Sequence, residues 1–198
     1  MEALKSGANI GGKFHTECWR TIKPTDNTGL NDVVKMVYSK RRGKYEPRRL
    51  VWADDTHNIV TTEGLNRILD VMFHATTQTA TWYCTLVETD TTATAAMNYE
   101  VPVYTESTSY DEATRPAYTE AAAAAGSMTN AANVAVFTIS ATKTMYGASL
   151  VSLDTKGDHT IGANNVLYCY AKFSASRPVY DDDIVNLTYV VTAADDGA

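Results

Sequence analysis

The sequence predicts a mainly β protein: an antiparallel β-sandwich, jelly-roll or immunoglobulin-like, with one amphipathic helix and an N-terminal arm that carries an insertion. Three observations predict it. From residue 80 onward, runs of β-branched and aromatic residues recur about every dozen positions with turn residues between them. Only 63–73 carries a full apolar stripe at helical spacing without a strand alternative. The charged fraction of 20% and hydrophobic fraction of 44% suit a packed core and exclude a disordered chain.

Residues 1–10 read as a flexible lead. Residues 13–22 alternate, with Phe14, Thr16, Cys18 and Arg20 on one side and His15, Glu17 and Trp19 on the other, so a strand is expected. A turn cluster follows at 24–29. In 30–38, Leu30, Val33, Val34 and Val37 form a helical stripe, but their β-branching suits a strand equally. Gly43 and Pro47 make 39–49 a loop or hairpin tip. A short strand begins at Leu50, and Asp54, Asp55, Thr56, His57 and Asn58 read as a polar turn.

In 63–73, Leu65, Ile68, Leu69, Met72 and Phe73 share one helical stripe. Thr61 or Thr62 can cap it, and Glu63 sits at the positive end of the helix dipole. Gly64 weakens such a helix by roughly 1 kcal/mol relative to Ala, so the helix depends on packing. Strands are expected at 81–87, 98–106, 132–140, 144–153, 166–173 and 184–192, with 111–120 extended around Pro116 and 121–125 a linker. The expected division is 1–58, an arm, strand pair and basic insertion packing on the body, and 59–198, the helix with the sandwich body.

Charge divides the chain in the same way. Residues 1–58 hold eleven Lys/Arg against seven Asp/Glu, and 59–198 hold six against sixteen, within a net charge of −6. Lys40, Arg41, Arg42, Lys44, Arg48 and Arg49 concentrate the positive charge, with Tyr38 and Tyr45 among them. Such a cluster can neutralise phosphates or dock on an acidic protein surface. The acidic remainder repels a polyanion, so docking on a protein partner is expected and nucleic acid is disfavoured.

Reaction chemistry is sparse. The four histidines fall in no metal-binding spacing, and there is no GxSxG elbow, P-loop or GxGxxG. Asp54, Asp55 and His57 could surround a cation, but a hydrogen-bonded turn explains them with less. Asp181, Asp182 and Asp183 lack the alternate spacing and glycine of a calcium loop and read as a solvated turn. No catalytic residue, metal ligand or cofactor is expected. Cys18, Cys84 and Cys169 are odd in number, far apart and set in apolar runs, so buried free thiols are expected. No apolar stretch approaches the ~20 residues of a bilayer span, and the first residues lack a signal-peptide pattern. Assembly in a cytoplasm is expected.

An ordered set of landmarks is similar to a family of small tailed-phage and prophage virion proteins. The set runs from Phe14-His15-Thr16-Glu17-Cys18, through Val51-Trp52, to His57-Asn58-Ile59-Val60-Thr61-Thr62-Glu63-Gly64-Leu65-Asn66. It continues with Trp82-Tyr83, Tyr110-Asp111-Glu112-Ala113-Thr114-Arg115-Pro116-Ala117-Tyr118 and Phe137-Thr138-Ile139. Gly147-Ala148 and Phe173-Ser174-Ala175 with Arg177-Pro178-Val179 complete it. The resemblance implies a virion structural protein, first a capsid decoration or cement protein on the major capsid protein, next a low-copy tail or neck component that binds a receptor or glycan. It implies a non-enzymatic role and a place in the virion; repeated copies suggest self-association as a dimer or trimer. The family joins its first two strands by a short turn. Here 25–49 intervenes, and Asp181-Asp182-Asp183 stands where a Gly-Asp turn is usual.

Overall fold

The structure, a computed structural model, describes residues 8–26, 29, 32–162 and 164–195. In chain order the elements are β1 (Ala8–Thr21), β2 (Val34–Ser39), β3 (Lys44–His57), β4 (Ile59–Val60), α1 (Thr62–Phe73) and β5 (Trp82–Val87). There follow β6 (Ala117–Tyr118), β7 (Ser127–Thr129), β8 (Ala135–Thr138), β9 (Lys143–Val151), β10 (Leu167–Val179) and β11 (Ile184–Asp195). The strands form two antiparallel sheets. One has the order β2-β3-β1-β11-β7, with β8 also paired to β11, and the other the order β4-β10-β9-β5-β6. Phe14, Cys18 and Leu187 from the first sheet meet Leu86, Leu150 and Cys169 from the second in one buried cluster. This is the mainly β, antiparallel sandwich with one helix that the strand rhythm predicts.

The strand pair read in 1–58 is β1 and β3, and it lies inside the first sheet. β1 pairs with β11 from Ala8↔Asp195 to Trp19↔Ile184 and with β3 from Lys13↔His57 to Thr21↔Arg48. Of the flexible lead, residues 8–10 belong to β1, and 1–7 lie outside the described residues. The 24–29 cluster turns at Pro24 and Thr25, with Asn27 and Thr28 outside the described residues. The ambiguous 30–38 segment is a strand from Val34 onward, where it pairs with β3, and Leu30 lies outside the described residues.

Two local readings yield to tertiary contacts. β3 runs through the expected polar turn because Asp54 points inward, where Ser174 Oγ donates to it at 2.5 Å and Arg177 Nε at 3.1 Å. The alternating 98–106 segment is not a strand. Val103 adopts φ 63°, which breaks an extended run, and the segment instead drapes over the outer face of the second sheet. Tyr99 and Tyr104 there pack against Val87, Val151, Leu167 and Tyr170. The second sheet is thus covered on both faces, which accounts for the uninterrupted burial of residues 167–171 in β10.

The helix is capped as expected, by Thr61, whose Oγ1 accepts from Gly64 N at 2.9 Å. Glu63 does more than face the dipole: its Oε2 accepts from Leu167 N at 2.7 Å and Tyr99 N at 2.9 Å, tying helix, strand and loop together. A Cβ on Gly64 would lie 2.4 Å from Tyr168 O, so the glycine is what lets α1 approach β10. That contact turns the helix. Of the expected stripe, Ile68 packs on the core, while Leu65, Leu69, Met72 and Phe73 face outward, with Phe73 77% exposed.

Candidate interaction surface

β2 and β3 form a hairpin whose turn, residues 40–43, closes with Gly43 at φ 63° and Gly43 N donating to Ser39 O at 2.8 Å. The expected basic cluster occupies this turn and the stem below it. Two acidic turns of the body, around 111–112 and 181–183, lie against it.

Lys40 Nζ donates to Glu112 Oε1 at 3.0 Å. Arg41 forks onto Asp111, reaches Asp181 Oδ1 at 2.9 Å and caps Ile139 O at 3.0 Å. Arg42 bonds Glu46 and donates to Asp182 Oδ2 at 2.6 Å. Arg48 is fully buried and donates to the backbone carbonyl of Asp182 and, at 3.4 Å, to its carboxylate. From β1, Arg20 forks onto Asp183 at 2.8 and 2.7 Å, and Thr21 Oγ1 donates to Asp182 at 3.0 Å. The 181–183 turn is solvated only in part: Asp181 is exposed, Asp183 is buried, and each carboxylate meets an arginine.

The electrostatics follow from the geometry. Burial works against ionisation of Asp182, but its bond to Arg42 and the charge of Arg48 prevail and hold its carboxyl below the usual carboxylate range. The bond to Asp111 raises the pKa of the Arg41 guanidinium, and the bond to Asp182 that of Arg42. These are charge-assisted bonds between elements far apart in sequence, and they fasten the β2–β3 hairpin to the body.

The basic cluster thus divides. Arg48 has no surface to offer a partner, which corrects the expectation for that residue: a guanidinium placed on the inward side of the stem is held by Asp182. Arg41 and Arg42 spend their donors within the chain. Lys40 and Lys44 stay outward, Lys44 with Glu46 Oε1 at 3.6 Å, and among the described residues Arg49 makes no ion pair. The acidic surface that the cluster was expected to meet on a partner is, for most of it, the chain's own.

With its charged side held down, the hairpin turns an apolar side out. Val34, Met36, Tyr38 and Tyr45 are all exposed, and the two tyrosine rings meet edge to face with centroids 5.3 Å apart. The 34, 36, 38 alternation carries this signal in the sequence, but the competing helical stripe obscures it. The outward face of α1 is a second apolar surface.

Other polar constellations are internal. Arg115 is buried and bidentate on Glu106, at 2.8 and 2.6 Å, and also donates to Tyr99 OH at 3.0 Å and to the carbonyls of Leu153 and Asp158. His159 Nε2 lies 3.2 Å from the same Glu106 carboxylate. This network binds the covering loops to the second sheet. Asp54 and Asp55 point apart: Asp55 pairs with Lys13 at 3.2 Å and His15 at 3.0 Å. Among the described residues no three His, Cys, Asp or Glu side chains converge as a metal site would require. Cys18, Cys84 and Cys169 are free and buried, and burial pushes the Cys169 thiol up to about 12. No described helix is long and apolar enough to cross a membrane.

Fold and surface together define an antiparallel β-sandwich that presents apolar area on a charge-fastened hairpin. In comparisons with known proteins, the chain matches no family model and no curated protein.

Proposed function

We propose that the protein is a structural component of a tailed-phage particle, a capsid decoration or cement protein that docks on the major capsid protein and stabilises the head. The observation that carries this reading is the inserted hairpin, fastened to the body through Arg41, Arg42 and Arg48 and turning Val34, Met36, Tyr38 and Tyr45 to solvent. A surface ordered before it meets its partner loses little conformational freedom on docking, which suits a shell built from many identical contacts. The sequence landmarks from Phe14 to Val179 support the particle, and the hairpin lies in the stretch where this chain departs from them.

Quantitative mass spectrometry of purified particles, with a reconstruction of the head, tests the proposal. Hundreds of copies on the head surface are expected. A copy number of about a dozen at the tail or neck would replace it with the low-copy receptor-binding role, which follows the symmetry of that structure. Absence of the chain from particles would overturn both.

A further inference from the structure

Among the described residues β2 ends the first sheet, and no strand pairs with its outer edge. Leu50 N donates to Val33 O at 2.8 Å, whereas Pro47 O accepts from Ile22 N at 3.2 Å on the opposite side. Successive residues of a strand alternate in direction, so 46 and 48 face β2 while 47 and 49 face β1. The register Lys35↔Arg48, Met36↔Pro47, Val37↔Glu46 then places the ladder bonds of β2 on Lys35 and Val37. The N–H and C=O groups of Val34, Met36 and Tyr38 point away from β3, and among the described residues no backbone group reaches them.

We infer that β2 of a second copy of the chain adds antiparallel to this edge about a two-fold axis. The outward groups of β2 are those of Val34, Met36 and Tyr38, so the axis passes between Met36 and its own counterpart. Val34 then faces Tyr38, and Lys35 faces Val37. Every exposed apolar side chain of the strand meets another, and no like charges meet across the pair. Edge strands are commonly guarded by a lysine or proline. Here Lys35 is drawn off the edge, its Nζ 3.7 Å from the Trp19 ring centre and 3.1 Å from Glu17 Oε2, and the strand contains no proline. An edge that is self-complementary under a two-fold rotation closes into a dimer and stops there. The inference goes beyond the particle reading and does not depend on it.

Sedimentation velocity of the full chain over a concentration series tests it, with hydrogen exchange at both ends of the series. A concentration-dependent dimer is expected, with the amides of Val34, Met36 and Tyr38 protected only when it forms. Met36→Pro removes a donor that the monomer does not use, and Met36→Lys sets two ammonium groups face to face. Each is expected to weaken association by roughly tenfold or more while leaving thermal unfolding of the monomer unchanged. Met36→Cys is expected to cross-link under mild oxidant and the exposed Val101→Cys is not. A chain that stays monomeric overturns the inference. So does a dimer whose β2 amides exchange freely, or one that survives Met36→Lys and is lost with Leu69→Asp on the helix.

Discussion

The Arg42 guanidinium, at the tip of the β2–β3 hairpin, donates to Asp182 Oδ2 at 2.6 Å across 140 positions of chain. The same carboxylate lies 3.4 Å from the buried Arg48, so one side chain serves the tip and the stem of the hairpin together.

Asp182→Asn should therefore cost more than any single change at the tip. It removes the nearer of the two carboxylates beside the buried Arg48 cation, Glu46 lying at 3.9 Å, a loss of about 3 kcal/mol. Asparagine tolerates the φ of 70° at this position, so the loss reports the charge and not the backbone. Arg41→Ala removes half-exposed pairs and should cost about 1 kcal/mol or less. Urea unfolding measures both, and equal losses would mean that the clamp does not centre on Asp182.

Stability should fall in acid. Burial opposes ionisation of Asp54, Glu106 and Asp182, yet hydrogen bonds and arginine charge hold all three below their ordinary values. A carboxyl with a depressed folded pKa contributes stability that is complete above its unfolded pKa, about 4, and is lost as pH falls through the folded value. The urea midpoint should be level from pH 7 to about 5 and should drop below about 4. A midpoint unchanged at pH 2 would show that these ion pairs contribute nothing.

Gly64→Ala should destabilise the protein although alanine favours a helix by roughly 1 kcal/mol. The new Cβ would meet Tyr168 O at 2.4 Å, in backbone that cannot easily move. A net loss of about 1–3 kcal/mol is expected, read as a lower melting temperature. In the same experiment Ile68→Ala should cost about 2 kcal/mol or more, and Phe73→Ala close to nothing in the monomer. A higher melting temperature for Gly64→Ala would mean that α1 does not press on β10.

The three thiols should be silent in the native state. Burial raises the pKa of Cys18, Cys84 and Cys169, which suppresses the reactive thiolate. A chromogenic disulfide reagent should count three thiols in urea and none at short times in buffer. Rapid native labelling of any one would contradict its burial.

Much of the secondary structure was legible in the sequence, because periodicity and capping are local. Phe14 to Arg20 alternate and form β1; Thr61 caps α1; the aromatic and β-branched runs become β5, β9, β10 and β11. The runs that misled were those in which local pattern and distant contact disagree. Asp54 reads as a turn residue until Arg177 reaches it, and 98–106 reads as a strand until Tyr99 and Tyr104 pack over the second sheet. The 34–39 strand hid behind a stripe of valines that fits either period.

By itself, then, the sequence determined that this is a two-sheet β protein with one capped helix, buried thiols and a basic segment at 40–49. Tertiary structure alone decided which faces are left for partners. The close approach of Gly64 to Tyr168 turns Leu65, Leu69, Met72 and Phe73 outward, and the acidic turns take up Arg41, Arg42 and Arg48 and leave Val34, Met36 and Tyr38 at the surface. The reason is physical: a residue's period follows from its neighbours in the chain, but its burial and charge pairing depend on groups that can lie far away along it, 70 positions for Arg41 and Asp111 and 140 for Arg42 and Asp182.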